Sequence, residues 1–368
     1  MRIFILSDIN SIHTKRWVKA LSERGIDIFL FGFCQDLSNE YALYENVRVY
    51  GCFERYKDIF FSKVGYLFVL RRLRQKIKEF KPDIVHAHYA SSYGLLGALV
   101  KTSVPYIVSV WGSDVYDFPN ITPCGKQIIK YNFKKADYIL STSHVMAKET
   151  KKYTDKPIFV TPFGVDTGLF KPMDVPRSEE FIIGNVKTLR PKYGIDVLIR
   201  AVDMVIKNNP EKKIHLEIYG EGPQKEELIQ LARSLGIIDK VQFKGFIQNE
   251  KLPEIYNSVS VSVSVSVSNS ESFGVVAVEA MACECPVITS DADGFTEVVK
   301  DGETGFIVPK SDVEATANAI QQFIDRPELR EQMGKKGRER VLELYDWEKN
   351  VNIMVEIYNH VVNEYSSH

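Results

Sequence analysis

Residues 258–290 read as strand, turn, helix and strand in quick succession, and few folds accommodate that order. Ser258–Ser268 is a nearly pure Ser/Val repeat. Low complexity on its own favours a flexible tract, but valine at every second position predicts a strand with one apolar face. Serine on the other face leaves room for a closely packed helix. An apolar run from about Phe273 predicts that helix, and Pro286–Ser290 predicts the next strand. The start of the chain repeats the order. Arg2–Asp8 reads as a buried parallel strand ending in a turn. His13–Arg24 is an amphipathic helix with Trp17, Val18 and Leu21 inward, closed by Gly25, and Ile26–Phe31 is a strand. Strand, loop, helix and strand is how a doubly wound α/β sheet begins, and ligands of such sheets gather at the carboxyl ends of the strands.

Between the predicted strand and helix lies S-N-S-E-S-F-G-V-V-A-V-E-A-M-A, Ser268–Ala282. The first turn of a helix presents backbone N–H groups that the helix does not use, and its dipole favours negative charge there. Gly274 allows close backbone approach to an anion. Glu271 and Glu279 lie eight positions apart, roughly 10 Å along a helix axis at 1.5 Å per residue. That span suits a ligand with hydroxyls at both ends and phosphate between, such as a nucleotide sugar. Solvated glutamate is the norm. Glu279, however, stands between V-V-A-V and A-M-A, where an unpaired carboxylate is costly.

The run E-S-F-G-x-x-x-x-E-A-M-A-C-x-x-P-V-I resembles the retaining GT-B glycosyltransferases of family GT4. The resemblance covers nearly the whole chain and is strongest from about Val241 to Pro309. It implies two Rossmann-like domains facing across a cleft, with a C-terminal helix crossing back. It implies that Glu271 contacts the transferred sugar, that Glu279 holds the ribose hydroxyls, and that the backbone at Gly274, Val275 and Val276, preceded by Ser272 and Phe273, receives the diphosphate. Gly220 of G-E-G-P, and Phe246 and Ile247 after V-x-F-x-G, fall where the family binds the nucleotide. Ser11 stands where the family has a Gly-Gly loop, and the resemblance implies that it and the start of the following helix face the donor. The family often aims an Arg and a Lys at the diphosphate; lining up Pro191 and Gly194 puts Thr188 and Tyr193 in those places, with the cations shifted to Lys187, Arg190 and Lys192. Cations are needed there because charge grows on the leaving nucleoside diphosphate in the transition state. Trp111 stands where a sugar-side histidine is common, so Asp114 and His88 become alternative catalytic candidates.

The expected function is transfer of a hexosyl group from a nucleotide diphosphate donor, UDP-sugar first, to an acceptor hydroxyl with retention. Polysaccharide or lipid-linked glycan assembly is a family-level expectation. Two alternatives share the architecture or the site: a nucleotide-sugar 2-epimerase, and a non-catalytic nucleotide-sugar-binding partner of another transferase.

At 368 residues two domains are the default. The expected divisions are 1–170 on the acceptor side, 171–345 for the donor, and 346–368 as the returning helix, with Lys171–Ser178 the linker. A net charge of −1 gives no global pull toward nucleic acid. Five cysteines without framework spacing point to a reducing compartment. No signal peptide or apolar run of ~20 residues is read, so the expected location is cytoplasmic. Glu54–Lys81 holds nine Lys/Arg against three Asp/Glu, with Phe60, Phe61, Tyr66 and Phe68. Such a helix can lie on an anionic membrane surface or pack with a solvated basic face. His86 and His88 share a strand face, but no further ligands complete a metal set. Asp291-Ala292-Asp293 imitates the D-x-D metal motif of a different transferase fold and is read as a decoy. The expected enzyme needs no metal or other cofactor.

Overall fold

Arg2–Leu6 (β1) begins a parallel sheet, continued by β2 (Asp27–Gly32), β3 (Val47–Gly51), β4 (Ile84–His88), β5 (Tyr106–Val110), β6 (Tyr138–Ser141) and β7 (Ile158–Val160). Their order in the sheet is β3-β2-β1-β4-β5-β6-β7, and every pairing among them is parallel. The computed structural model describes residues 1–52, 63–100, 102–121, 123–176, 178–269 and 271–366, with the side chains of 63–68 outside the described set. Parallel strands need helical crossovers on both faces, which is why these strands are near-continuous apolar runs. One face of the sheet is filled by Phe4, Phe29 and Phe80, with the first two rings stacked at 4.8 Å.

Helix α1 (Ile12–Ser22) follows β1 and buries Trp17, Val18 and Leu21 as its periodicity requires. Helix α2 (Lys63–Phe80) turns Val69, Leu70, Leu73 and Phe80 into the core and leaves Arg71 and Arg72 exposed. Part of its basic face is spent within the unit: Arg72 donates to the Tyr50 hydroxyl at 2.7 Å, and Arg74 donates to the Leu99 carbonyl at 2.9 Å. Phe60 and Phe61, and the side chains of Tyr66 and Phe68, lie outside the described residues. Among the described residues no helix is long and apolar enough to cross a membrane.

A second sheet follows: β8 (Phe181–Val186), β9 (Ile214–Tyr219), β10 (Val241–Gly245), β11 (Val261–Ser264), β12 (Val287–Ser290) and β13 (Gly305–Val308). Its order is β10-β9-β8-β11-β12-β13, again parallel. Helix α3 (Ile195–Asn208) covers one face, where Ile183, Ile218, Val261, Val263 and Ile288 form the core. Helix α4 (Val275–Ala282) packs on β11 and β12. The valines of β11 point into the α3 side, so its small serines lie on the α4 side. The strand is shorter than the Ser/Val repeat. Ser258 ends a helix that starts at Leu252. At the far end the Val267 amide donates to the Lys192 carbonyl at 2.9 Å, so this backbone bonds a loop instead of extending the ladder.

Both sheets wind outward through three strands and then return to the other side of the first, the doubly wound order of a Rossmann-like unit. The units are Met1–Pro162 with Lys349–His368, and Phe163–Glu348. Helix α5 (Trp347–Ser366) therefore returns to the first unit, where the Tyr358 hydroxyl lies 2.7 Å from His86 Nδ1.

Candidate active site

In the second sheet the winding direction reverses between β8 and β11. A crevice outside the carboxyl ends of the strands at such a point is the general ligand site of open α/β sheets. Lys187 is the first residue past β8, and the loop after β11 delivers Glu271. Their side chains meet: Lys187 Nζ lies 2.6 Å from Glu271 Oε2, with side-chain exposures of 12% and 11%. The Ser266 hydroxyl donates to the same carboxylate at 3.3 Å. The ammonium also lies 4.8 Å from the Tyr193 ring centroid and 5.9 Å from that of Phe295. Removing two charges from water is costly, and the pairing and the aromatic faces offset part of that cost.

Glycines bring these segments together. Gly220 (φ +150°) lies so close to the Lys187 backbone that a Cβ would sit 2.0 Å from its carbonyl oxygen. Gly194 (φ +63°) closes the short turn Pro191–Tyr193 and would carry a Cβ 2.2 Å from the Val265 carbonyl. Gly274 (φ +80°) is the N-cap of α4. The helix thus begins at Val275, two residues later than the apolar run predicts, because Gly274 adopts a left-handed conformation. Val275 and Val276 open the first turn, partly exposed, and their amides are among those a helix cannot satisfy itself. Ser272 is buried, and Phe273 packs against Phe163 and Tyr345 at centroid distances of 6.2 and 5.5 Å.

Glu279 lies one turn further, buried at 6% exposure, and its carboxylate accepts from the Tyr256 hydroxyl at 3.3 Å. Burial, with Glu279 adjacent, pushes the Tyr256 phenol well above its ordinary value. Phe246 just past β10 is 75% exposed, and Ile247 beside it is half-buried. Arg190 is exposed, whereas Lys192 Nζ lies 5.0 Å from the Tyr193 ring centroid. The structure thus brings Lys187 and Lys192 to the Tyr193 ring, and Glu271 to Lys187. Tyr193, Phe295, Ser266 and Tyr256 had no assigned part in the sequence reading; of these only Tyr193 carries a signal, as the non-cationic residue at an expected cation position.

The first unit's candidates behave differently. Asp114 is fully buried, and its carboxylate accepts from the amides of Ala90 at 2.7 Å, Gly112 at 2.8 Å and Trp111 at 3.1 Å. It braces the turn after β5, with burial raising its carboxyl above the usual range. His88 is buried against Ser7 (Nδ1 to Oγ, 3.2 Å) and the Trp111 ring (centroids 4.7 Å). Desolvation lowers it to about 3, which leaves a neutral imidazole. His86 has both ring nitrogens engaged, by Tyr358 and Ser109 at 2.7 Å each. Ser11 is the N-cap of α1, in extended backbone. Asp291 pairs with Lys310 at 3.0 Å, and Asp293 opens a short helix. Among the described residues no group of three or more His, Cys, Asp and Glu side chains gathers as a metal site would require.

Two family models match the chain: "Glycosyl transferases group 1" over residues 171–340 and "Glycosyl transferase 4-like" over 2–143. A D-inositol 3-phosphate glycosyltransferase of Kribbella flavida is 30% identical over 307 residues, which is 75% of this chain and 70% of that protein. The fold is shared with solved structures. A sucrose-phosphate synthase from Thermosynechococcus elongatus superposes with a TM-score of 0.84 at 22% identity, covering 99% of this chain and 100% of that one. HepE of Anabaena in complex with UDP gives 0.80 at 17% identity, covering 98% and 99%. The doubly wound pair of units is that of the GT-B glycosyltransferases. The chain belongs to the group 1, GT4-type glycosyltransferases.

Proposed function

We propose that the second unit binds a nucleoside diphosphate sugar, UDP-sugar first, and that the enzyme transfers its hexosyl group to a glycan or lipid-linked hydroxyl with retention and without a metal ion. The observation that carries this is the Lys187–Glu271 pair at the winding reversal of the second sheet, beside the N-terminus of α4. The UDP bound to HepE supports the choice of base.

In this reading the amides of Gly274, Val275 and Val276 and the cations Lys187, Arg190 and Lys192 take the diphosphate. Preorganised donors and cations aimed at the departing phosphate stabilise charge as it develops. Glu271 accepts from a hydroxyl of the transferred sugar, and Glu279 from the ribose. Phe246 and Ile247 lie along the base. The bond from the anomeric carbon to the phosphate oxygen breaks as the acceptor oxygen approaches from the same face. That same-face approach conserves configuration without a protein nucleophile, and the departing phosphate takes the acceptor's proton. This reading gives that proton to the departing phosphate, while Asp114 braces the turn after β5 through three backbone amides and His88 is buried against Ser7 and Trp111.

The test is incubation with UDP-sugars and hydroxyl acceptors, with and without EDTA, and NMR assignment of the product's anomeric configuration. Retained configuration and undiminished turnover in EDTA are expected. Inversion, or activity lost in EDTA and restored by Mn²⁺, overturns the mechanism.

We also propose reversible attachment to anionic membranes through Glu54–Lys81, on the strength of its six-charge excess, nine basic minus three acidic residues. Attraction of about 1 kcal/mol per cation near an anionic surface makes a few contacts sufficient. Co-sedimentation with anionic but not neutral liposomes at low salt is expected. Failure to pellet with anionic liposomes at low salt overturns the attachment.

A further inference from the structure

Lys187 and Lys192 lie 4.8 and 5.0 Å from the centroid of one ring, Tyr193. Two ammonium groups repel each other, so a chain that brings both to the same side chain has a use for concentrated positive charge. The ring is held firmly. It packs on the core of the second unit, the Tyr193 amide donates to the Arg190 carbonyl at 3.0 Å, and Gly194 fixes the end of the turn.

We infer that Tyr193 is a positioning residue: its π face holds Lys187 and Lys192 in place for the two phosphates of the donor. This rests on the diphosphate reading above and adds the residue that makes the displaced cations effective. The chemistry favours a ring over a second carboxylate. Glu271 neutralises Lys187 while it holds it, and the reading above also assigns that carboxylate to the sugar. An aromatic face attracts the ammonium through its quadrupole and leaves the formal charge and the other N–H directions available to phosphate. When Glu271 turns to the sugar, the ring is what keeps Lys187 from swinging into solvent. Three anchors from separate segments, Tyr193, Phe295 and Glu271, make this cation the most constrained in the site.

The experiment measures affinity for the tightest-binding of UDP, GDP and ADP and for the corresponding monophosphate. It compares the wild type, Tyr193→Phe, and the full-length chain with mono-, di- and trifluorinated phenylalanine at position 193. Fluorination drains the quadrupole with little change of shape, so folding is preserved. Tyr193→Phe should match the wild type within about twofold. Successive fluorination should weaken diphosphate binding stepwise, about fivefold in total for a cation–π contact of ordinary strength, with a smaller change for the monophosphate. In a Lys187→Met background the fluorine series should lose most of its slope. A flat series, or equal losses for diphosphate and monophosphate, overturns the role of Tyr193 while leaving the diphosphate reading standing. A Lys187→Met chain that binds diphosphate as the wild type does, or a wild type that binds none of the three, removes the diphosphate reading and this inference together.

Discussion

Glu279 sits in a helix otherwise made of valine, alanine and methionine, with its carboxylate turned inward onto Tyr256. A buried carboxylate is retained where it has a polar partner, because isolation in an apolar setting costs several kcal/mol. Assigning it to the ribose gives a definite expectation. Glu279→Ala should raise the donor KM about tenfold to a hundredfold, since a hydrogen bond to a charged group contributes about 1.5–3 kcal/mol. Steady-state kinetics with the nucleotide sugar measure this, and an unchanged KM removes Glu279 from the site. At this scale the sequence made the two glutamates conspicuous, because each breaks a local pattern: Glu271 in a serine-rich turn, Glu279 in an apolar helix. It could not show that Lys187 meets Glu271, as that contact joins residues 84 positions apart, 271 minus 187, on different strands' ends. Asp114 shows what a strand-end carboxylate can also do: it accepts from the amide of Gly112, two residues before it, and from that of Ala90, a partner 24 positions away that only the fold reveals.

The element that decides the site is the N-terminus of α4, and Gly274 decides where it begins. A Cβ at Gly274 would lie 2.7 Å from Phe295 Cδ1, and the residue already needs a positive φ; Gly302 has a similar φ of +71° with nothing within 4 Å. The pair separates backbone strain from collision. Gly302→Ala should cost about 1–2 kcal/mol, the penalty for a left-handed residue bearing a Cβ. Gly274→Ala should cost more and also weaken nucleotide binding, because Phe295 and the start of α4 must shift. Denaturant midpoints and nucleotide titration of both variants check this. Equal stability losses with unchanged nucleotide affinity contradict it. Strands with strong patterning were legible to within a residue or two: Ile26–Phe31 was read where Asp27–Gly32 is found, and Pro286–Ser290 where Val287–Ser290 is found. The Ser/Val repeat was legible in kind but not in extent, because the Lys192–Val267 bond that ends the strand is a tertiary contact. The edge strand Val47–Gly51 is half-buried and short, so its pattern carries little signal.

For the whole molecule, the alternation of apolar strands with amphipathic helices fixes a doubly wound arrangement, and two rounds of it produce two units. The doubly wound start follows from period and order, and the second unit was expected from length and from the family resemblance. The winding reversal, which selects one of several strand ends as the site, follows from strand order and is read from the folded chain. The C-terminal helix joins the first unit through Tyr358 and His86, a contact of 272 positions' separation, which no local pattern encodes. Everything proposed for the site depends on recognition of a nucleoside diphosphate sugar by the second unit. Calorimetric titration of the full chain with UDP-, GDP- and ADP-sugars, repeated with Glu279→Ala and Lys187→Met, tests it most directly. Saturable one-site binding of a UDP-sugar is expected, weakened at least tenfold by either substitution. Absence of binding for every nucleotide sugar, or binding that both substitutions leave untouched, would contradict it.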